Sequence, residues 1–530
     1  MIALLQVVKP AFTKEVTMSL FPRSAGVLLH PTSLPGRYGI GDLGANAYRF
    51  VDWLADAGLT IWQVLPLGPT SYGDSPYQTL SAFAGNPNLV SLDLLVEDGY
   101  LTGDDLADVP DFPADHVDYG WIIPYHDEKL SVAYSRFNKS APAADKKAFE
   151  AWCAEEASWL DDFALFAALK RHFGGRAWVE WPDKDLIAYE EQALEKARKE
   201  HAQAIDEQRF RQWLFFKQWL AVKAYANNKG IRLFGDIPIF VAHDSSDVWA
   251  NQSRYYLDET GNPTVIAGVP PDYFSPTGQR WGNPLYRWDV MKDDNYRWWI
   301  ARFKAILSLV DYIRIDHFRG FEAYWEIPAT EPTAINGKWI PGPAHDLFFA
   351  VKAALGELPI IAEDLGVITE GVERLRDDFD LPGMKVLQFA WGDPQNPFLP
   401  HNHPQNAVVY SGTHDNNTTV GWWHSEVDDE TRQFMQDYLA REVTTPHWTL
   451  IRLAMGSPAH TAIFPMQDVL ALGAEARMNT PGKQGGNWTW RFTEADFDNE
   501  NKYLLGQLTW LYMRRPDQQE KVYGDVAVKK

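Results

Sequence analysis

The chain has 530 residues, 45% of them hydrophobic, with 49 basic against 71 acidic side chains and a net charge of −22. That length provides for a large core and more than one structural unit, and so anionic a chain makes a poor partner for nucleic acid, whose phosphates need a basic face. A single cysteine, Cys153, excludes an intramolecular disulfide and fits a reducing, cytoplasmic compartment, and no stretch approaches the roughly 18 uninterrupted apolar residues of a membrane span.

Residues 1–17 read as an N-terminal extension or a start-site artefact. Their short apolar run, Ile2 to Val8, is cut by Lys9-Pro10 and lacks the basic region and small-residue cleavage site of a signal peptide. From Met18 onward the pattern sharpens. Eight short apolar runs predict strands: Ala25–His30, Thr60–Leu65, Arg232–Ile237, Asp311–Asp316, Pro359–Glu363, Lys385–Phe389, Asn406–Ser411 and Thr461–Pro465. Several are near-continuous, as parallel strands buried on both faces require. Helical periodicity lies between them, as in Ala45–Ala57 and Tyr296–Leu309. Eight strand–helix alternations predict a (β/α)8 barrel over residues 18–530. The gap of about 165 residues between the second and third runs is too long for one helix, so residues 90–225 read as an inserted, mainly helical subdomain. A second insertion, 243–290, follows the third run, and the roughly 65 residues after the eighth leave no room for an appended β-sandwich.

Barrel enzymes build their sites at the C-terminal ends of strands. Asp236, Asp316, Glu363 and Asp415 all fall there. Four acids converging on one cleft raise one another's pKa and are costly without a chemical role. An Asp nucleophile, a Glu acid/base and a second Asp are the apparatus of retaining glycoside chemistry. Arg314 shares a strand face with Asp316 and favours its ionised form, as a structural ion pair would too. Glu363 and Asp364 are adjacent and point to opposite faces, so only one enters the cleft, and the pattern alone does not decide which. The chain's 23 Trp, 22 Tyr and 28 Phe supply flat apolar faces with polar edges that match sugar rings, although most belong to the core.

Three segments, Arg314-Ile315-Asp316-His317, Ala362-Glu363-Asp364-Leu365-Gly366 and Thr413-His414-Asp415-Asn416, resemble the α-amylase-type barrel motifs. Narrower matches are Gly235 to Val241, Gly268-Val269-Pro270-Pro271-Asp272-Tyr273-Phe274-Ser275, Gly278 to Pro284, Glu475-Ala476-Arg477-Met478-Asn479, Ser75-Pro76-Tyr77-Gln78 and Ser81 to Pro87. Together, from about residue 20 onward, they resemble the 4-α-glucanotransferases or amylomaltases of glycoside hydrolase family 77. The resemblance implies Asp316 as nucleophile, Glu363 as general acid/base and Asp415 as transition-state stabiliser. It implies that Asp236, Arg314, His317 and His414 hold the sugar at the scissile bond, and that residues 268–284 form a lid with Asp272, Tyr273, Phe274, Gln279 and Trp281 near the glucan. Asn479 is implied as a substrate contact, and Tyr77 matches a position tied to a secondary glucan site. The implied partners are α-1,4-glucans and maltooligosaccharides, with no cofactor, metal, nucleic acid or membrane, and with the chain a monomer or weak homo-oligomer. A glucan hydrolase using the same residues is the rival reading, and a non-catalytic glucan-binding barrel the distant one.

Other signals are weaker. Gly39 to Gly44 spells a dinucleotide fingerprint but begins nine residues past the first strand, with no acid ending the next. His401-Asn402-His403 has no partner cluster with metal-site spacing. No nucleophile-elbow motif supports Ser-His-Asp chemistry.

Overall fold

Parallel pairing accounts for every strand run anticipated from the sequence. The computed structural model describes residues 20–271, 275–483, 485–498 and 500–518, so the expected extension 1–17 and the lid residues Asp272, Tyr273 and Phe274 lie outside the described part. Eight strands, β1 (Ser24–Leu28), β2 (Ile61–Gln63), β3 (Arg232–Pro238), β4 (Tyr312–Asp316), β5 (Ile360–Ala362), β6 (Gly383–Val386), β7 (Ala407–Tyr410) and β8 (Thr461–Pro465), form one sheet. Its order is β6-β7-β8-β1-β2-β3-β4-β5, all parallel. A 2.9 Å hydrogen bond from Ala362 N to the Pro382 carbonyl, just before β6, brings the two ends together and closes the barrel.

The strands are buried on both faces, which is why they read as continuous apolar runs. Polar groups inside are paired: Tyr410 on β7 donates to Gln63 Oε1 on β2 at 3.0 Å across the interior. Gly26 lets β1 and β2 approach, since a Cβ there would stand 2.4 Å from the Ile61 carbonyl. The helix Ala45–Asp56 buries Ala47, Phe50, Val51, Trp53 and Leu54 along one stripe. The helix Arg297–Leu309 buries Trp298, Trp299 and Phe303 and brings Arg302 to the Pro238 and Ile239 carbonyls at 2.7 and 3.2 Å, fixing the end of β3.

Between β2 and β3 run the long helices Tyr119–Ser140, Ala143–His172 and Ala202–Asn228. The last leads back to the barrel, where Trp219 donates to the Leu309 carbonyl at 2.9 Å. The sixth strand starts two residues and ends three residues earlier than expected: Leu387–Phe389 form a 3-10 turn instead of extending it. The lid segment, expected as a loop without strand pattern, contains the strand Gln279–Pro284 and the end of the strand Val265–Val269. Gln279–Pro284, Val265–Val269, Ala323–Pro328 and Lys338–Pro341 form a four-stranded antiparallel sheet in that order. A register shift between Ile266 and Gly268, together with Gly282 and Pro284, breaks the alternation that would have marked them. Among the described residues no helix is long and apolar enough to cross a membrane.

Candidate active site

The catalytic-end loops of the barrel enclose a cavity of about 1170 Å³. At its base, β3 and β4 run in register with Asp236 opposite Arg314, so the two side chains meet. The guanidinium donates to both Asp236 oxygens at 3.0 and 2.7 Å, and its other nitrogen stands 2.9 Å from Asp316 Oδ1. Tyr77 donates to Asp236 Oδ2 at 2.8 Å. Burial pushes the Asp236 carboxyl up and the guanidinium opposes it; the carboxylates around Arg314 hold that guanidinium protonated.

Asp316 ends β4, and the next residue, His317, adopts a left-handed conformation with φ 55°. That turn points the His317 amide at Glu363 Oε2, to which it donates at 2.7 Å, while the Leu365 amide donates to Oε1 at 2.9 Å. Glu363 is thereby fixed at both oxygens. Burial, with the nearby Asp316 charge, overrides these amides and Arg314 and raises the Glu363 carboxyl to about 8. Asp364 faces away: it pairs with Arg376 at 2.6 Å and accepts from the Met384 amide at 2.7 Å. The choice that the sequence pattern left open is settled by this geometry. His317, partly buried and pushed down to about 3 by desolvation, stays neutral, and its ring meets Trp281 edge-on at 4.9 Å.

The third acid sits beyond β7. Asp415 Oδ1 accepts from Asn479 Nδ2 at 2.6 Å and lies 3.4 Å from His414 Nε2. Arg477 donates to the Asp415 carbonyl at 2.7 Å, and the Asn479 amide donates to the His414 carbonyl at 3.1 Å. The segment carrying His414 and Asp415 is therefore tied to the chain after β8. Beneath it, buried Asp468 accepts from the Ser411 hydroxyl and the Thr419 amide, each at 2.6 Å.

Ten predicted residues line this one cavity: Tyr77, Gln279, Trp281, Arg314, Asp316, His317, Glu363, His414, Asp415 and Asn479. Asp236 lies just beneath, reached through Arg314. Tyr77 stacks on His414 at 5.2 Å and bonds Asp236, so it stands in the main cleft and not at a separate surface site. The Trp281 indole donates to Gln279 Oε1 at 3.1 Å, holding both on the lid strand Gln279–Pro284. Sequence reasoning missed Trp488, which lies 5.8 Å from Tyr77 and 5.9 Å from His414. It also missed Arg319 and Trp339 on the cavity wall. The Gly39 to Gly44 segment lines none of this cavity; its Asp42 accepts from the Gly44 amide at 2.8 Å at the start of the helix Ala45–Asp56.

The family described as 4-alpha-glucanotransferase matches residues 29–496. The 4-alpha-glucanotransferase of Thermus thermophilus is 53% identical over 91% of this chain and 97% of its own. That of Synechocystis sp. is 50% identical over 93% of this chain and 98% of its own. The amylomaltase of Streptococcus agalactiae, solved with acarbose, superposes with a TM-score of 0.90 at 41% identity, covering 93% of this chain and all of that one. The chain therefore belongs to the 4-alpha-glucanotransferases, glycoside hydrolase family 77.

Proposed function

We propose that Asp316, Glu363 and Asp415 carry out α-1,4-glucan transfer as a retaining double displacement. One observation carries the assignment. Glu363 is a carboxyl raised to about 8 in the same cavity as Asp316, whose charge is paired by Arg314 at 2.9 Å. One carboxyl is thus protonated at neutral pH beside one that is held ready to attack. Glu363 gives its proton to the glycosidic oxygen as Asp316 forms a bond to the anomeric carbon and the leaving glucan departs. The 4-hydroxyl of an acceptor glucan or glucose then attacks that carbon, Asp316 leaves, and Glu363 accepts the hydroxyl proton. Two inversions restore the α-linkage. Asp415, fixed by Asn479, together with His414 and the neutral His317, is assigned to the hydroxyls of the reacting ring.

Transfer requires that the intermediate meet a sugar before water. The antiparallel hairpin bearing Gln279 and Trp281 supports a lid role. The substrates we assign are α-1,4-glucans and maltooligosaccharides, and the lone half-buried Cys153 supports a cytoplasmic setting. Incubation with maltotriose tests the reading. A ladder of shorter and longer maltooligosaccharides is expected; glucose and maltose alone would favour the hydrolase.

A further inference from the structure

One wall of the cavity has no role in the chemistry above. There Trp339 lines the cleft beside Arg319 and Val367. Trp339 stands on the outer strand of the small sheet, in register with Trp325 across the hairpin, their rings 5.2 Å apart at 68°. The Trp325 indole is itself anchored by a 2.9 Å bond to the Ala334 carbonyl. The Arg319 guanidinium carbon lies 3.8 Å from the Trp339 ring centroid and covers one face. Arg319 is only 6% exposed and is fixed by donating to the Val367 carbonyl. Trp339 nonetheless keeps 38% of its surface exposed, and that surface borders the cleft. An indole backed on one face and buttressed at its edge loses little side-chain entropy when a flat apolar ligand settles on it.

Its position gives the side of the reaction it serves. Arg319 follows Asp316 by three residues and Val367 follows Glu363 by four, so the platform lies on the β4–β5 arc of the rim. Asp415 and Asn479 occupy the β7–β8 arc. Glu363 protonates the leaving oxygen, so the departing chain, and the acceptor that replaces it, occupy the side of Glu363. We infer that Trp339, backed by Arg319, is a stacking platform for a glucosyl ring of the acceptor chain beyond the unit that receives the new bond, and that it favours maltooligosaccharide acceptors over glucose. This rests on the transfer reading above. Arg319 acts as a positioning residue through Trp339.

The test uses the full chain with amylose as donor and labelled glucose or maltotriose as acceptor. Trp339→Ala is expected to raise the acceptor KM for maltotriose about tenfold, about 1.4 kcal/mol, and to leave that for glucose within about twofold. Trp339→Phe, which keeps a flat ring, is expected to recover most of the loss. Equal effects on both acceptors, or none on either, overturn the platform, as does a Phe variant no better than Ala. A wild-type enzyme that yields only glucose and maltose from maltotriose overturns the transfer reading itself, and the acceptor role with it.

Discussion

A carboxyl held protonated near neutral pH costs folding free energy, and Glu363 shows where. Its ordinary value is 4.5 and its folded value about 8. Between them the folded chain keeps a proton that the unfolded chain releases, so stability falls as pH rises through that window and levels off above it. Glu363→Gln removes this cost. The variant is predicted to be more stable than the wild type at pH 8 by at least about 1.4 kcal/mol, one pKa unit, in denaturant titration, with transfer reduced about 10²–10⁴-fold. Equal stabilities at that pH would mean that folding does not raise the Glu363 carboxyl. The same group sets the alkaline limb of the reaction: kcat/KM for transfer should fall about tenfold per pH unit above about 8. Asn479→Ala removes the 2.6 Å bond to Asp415. A hydrogen bond to a charged group is worth about 1.5–3 kcal/mol, so kcat/KM should drop about 10–100-fold with an unchanged circular dichroism spectrum. A loss smaller than threefold, roughly 0.6 kcal/mol, would place Asn479 outside the chemistry.

At the scale of the element, the acid-bearing strands were legible and the lid was not. β4, β5 and β7 each end an apolar run at or just before an ionisable or polar segment, and burial on both faces writes that pattern directly into the sequence. The lid strand Gln279–Pro284 takes its form from pairing with Val265–Val269, itself paired with Ala323–Pro328 about 60 residues downstream, and from a bulge, so local periodicity carries little of it. The ties of Arg477 and Asn479 to Asp415 span more than 60 residues and leave no trace in spacing. Trp488 sits among Gly and Asn residues with no pattern to distinguish it from a surface aromatic. At β6, the apolar Leu387 and Phe389 extended the apparent strand, although the backbone turns there. The lid carries its own prediction. Trp281→Ala opens the hairpin face that meets His317, and the ratio of hydrolysis to transfer, read as reducing sugar against ladder products, should rise severalfold. An unmoved ratio would separate the hairpin from water exclusion.

At the scale of the whole molecule, the end of the barrel away from the cavity is sealed by two arginines. Arg514 is fully buried and donates to the carbonyls of Ser24, Ala454, Met455, Ala459 and His460, binding the start of β1 to the approach to β8. Arg23 donates to the Met455, Ser457 and Tyr512 carbonyls beside it. Burial pushes the Arg514 guanidinium well below its ordinary value, and six main-chain oxygens, that of Ser457 included, compensate the charge. Arg514→Met removes every hydrogen bond that this side chain makes, leaving Arg23 alone to serve Met455 and Ala459, and is predicted to cost about 3 kcal/mol, seen as a lowered midpoint in urea. Arg23→Met, at a half-exposed site, should cost less.

That lock has a temporal meaning. Its key residue is Arg514, while the oxygens it grips belong to the start of β1 and to the helix end and turn that lead into β8. A nascent polypeptide can pair its first and last strands through the main chain, yet the side-chain fastening beneath them waits until Arg514 emerges. Chains arrested before Arg514 should be more sensitive to protease than chains arrested well beyond it.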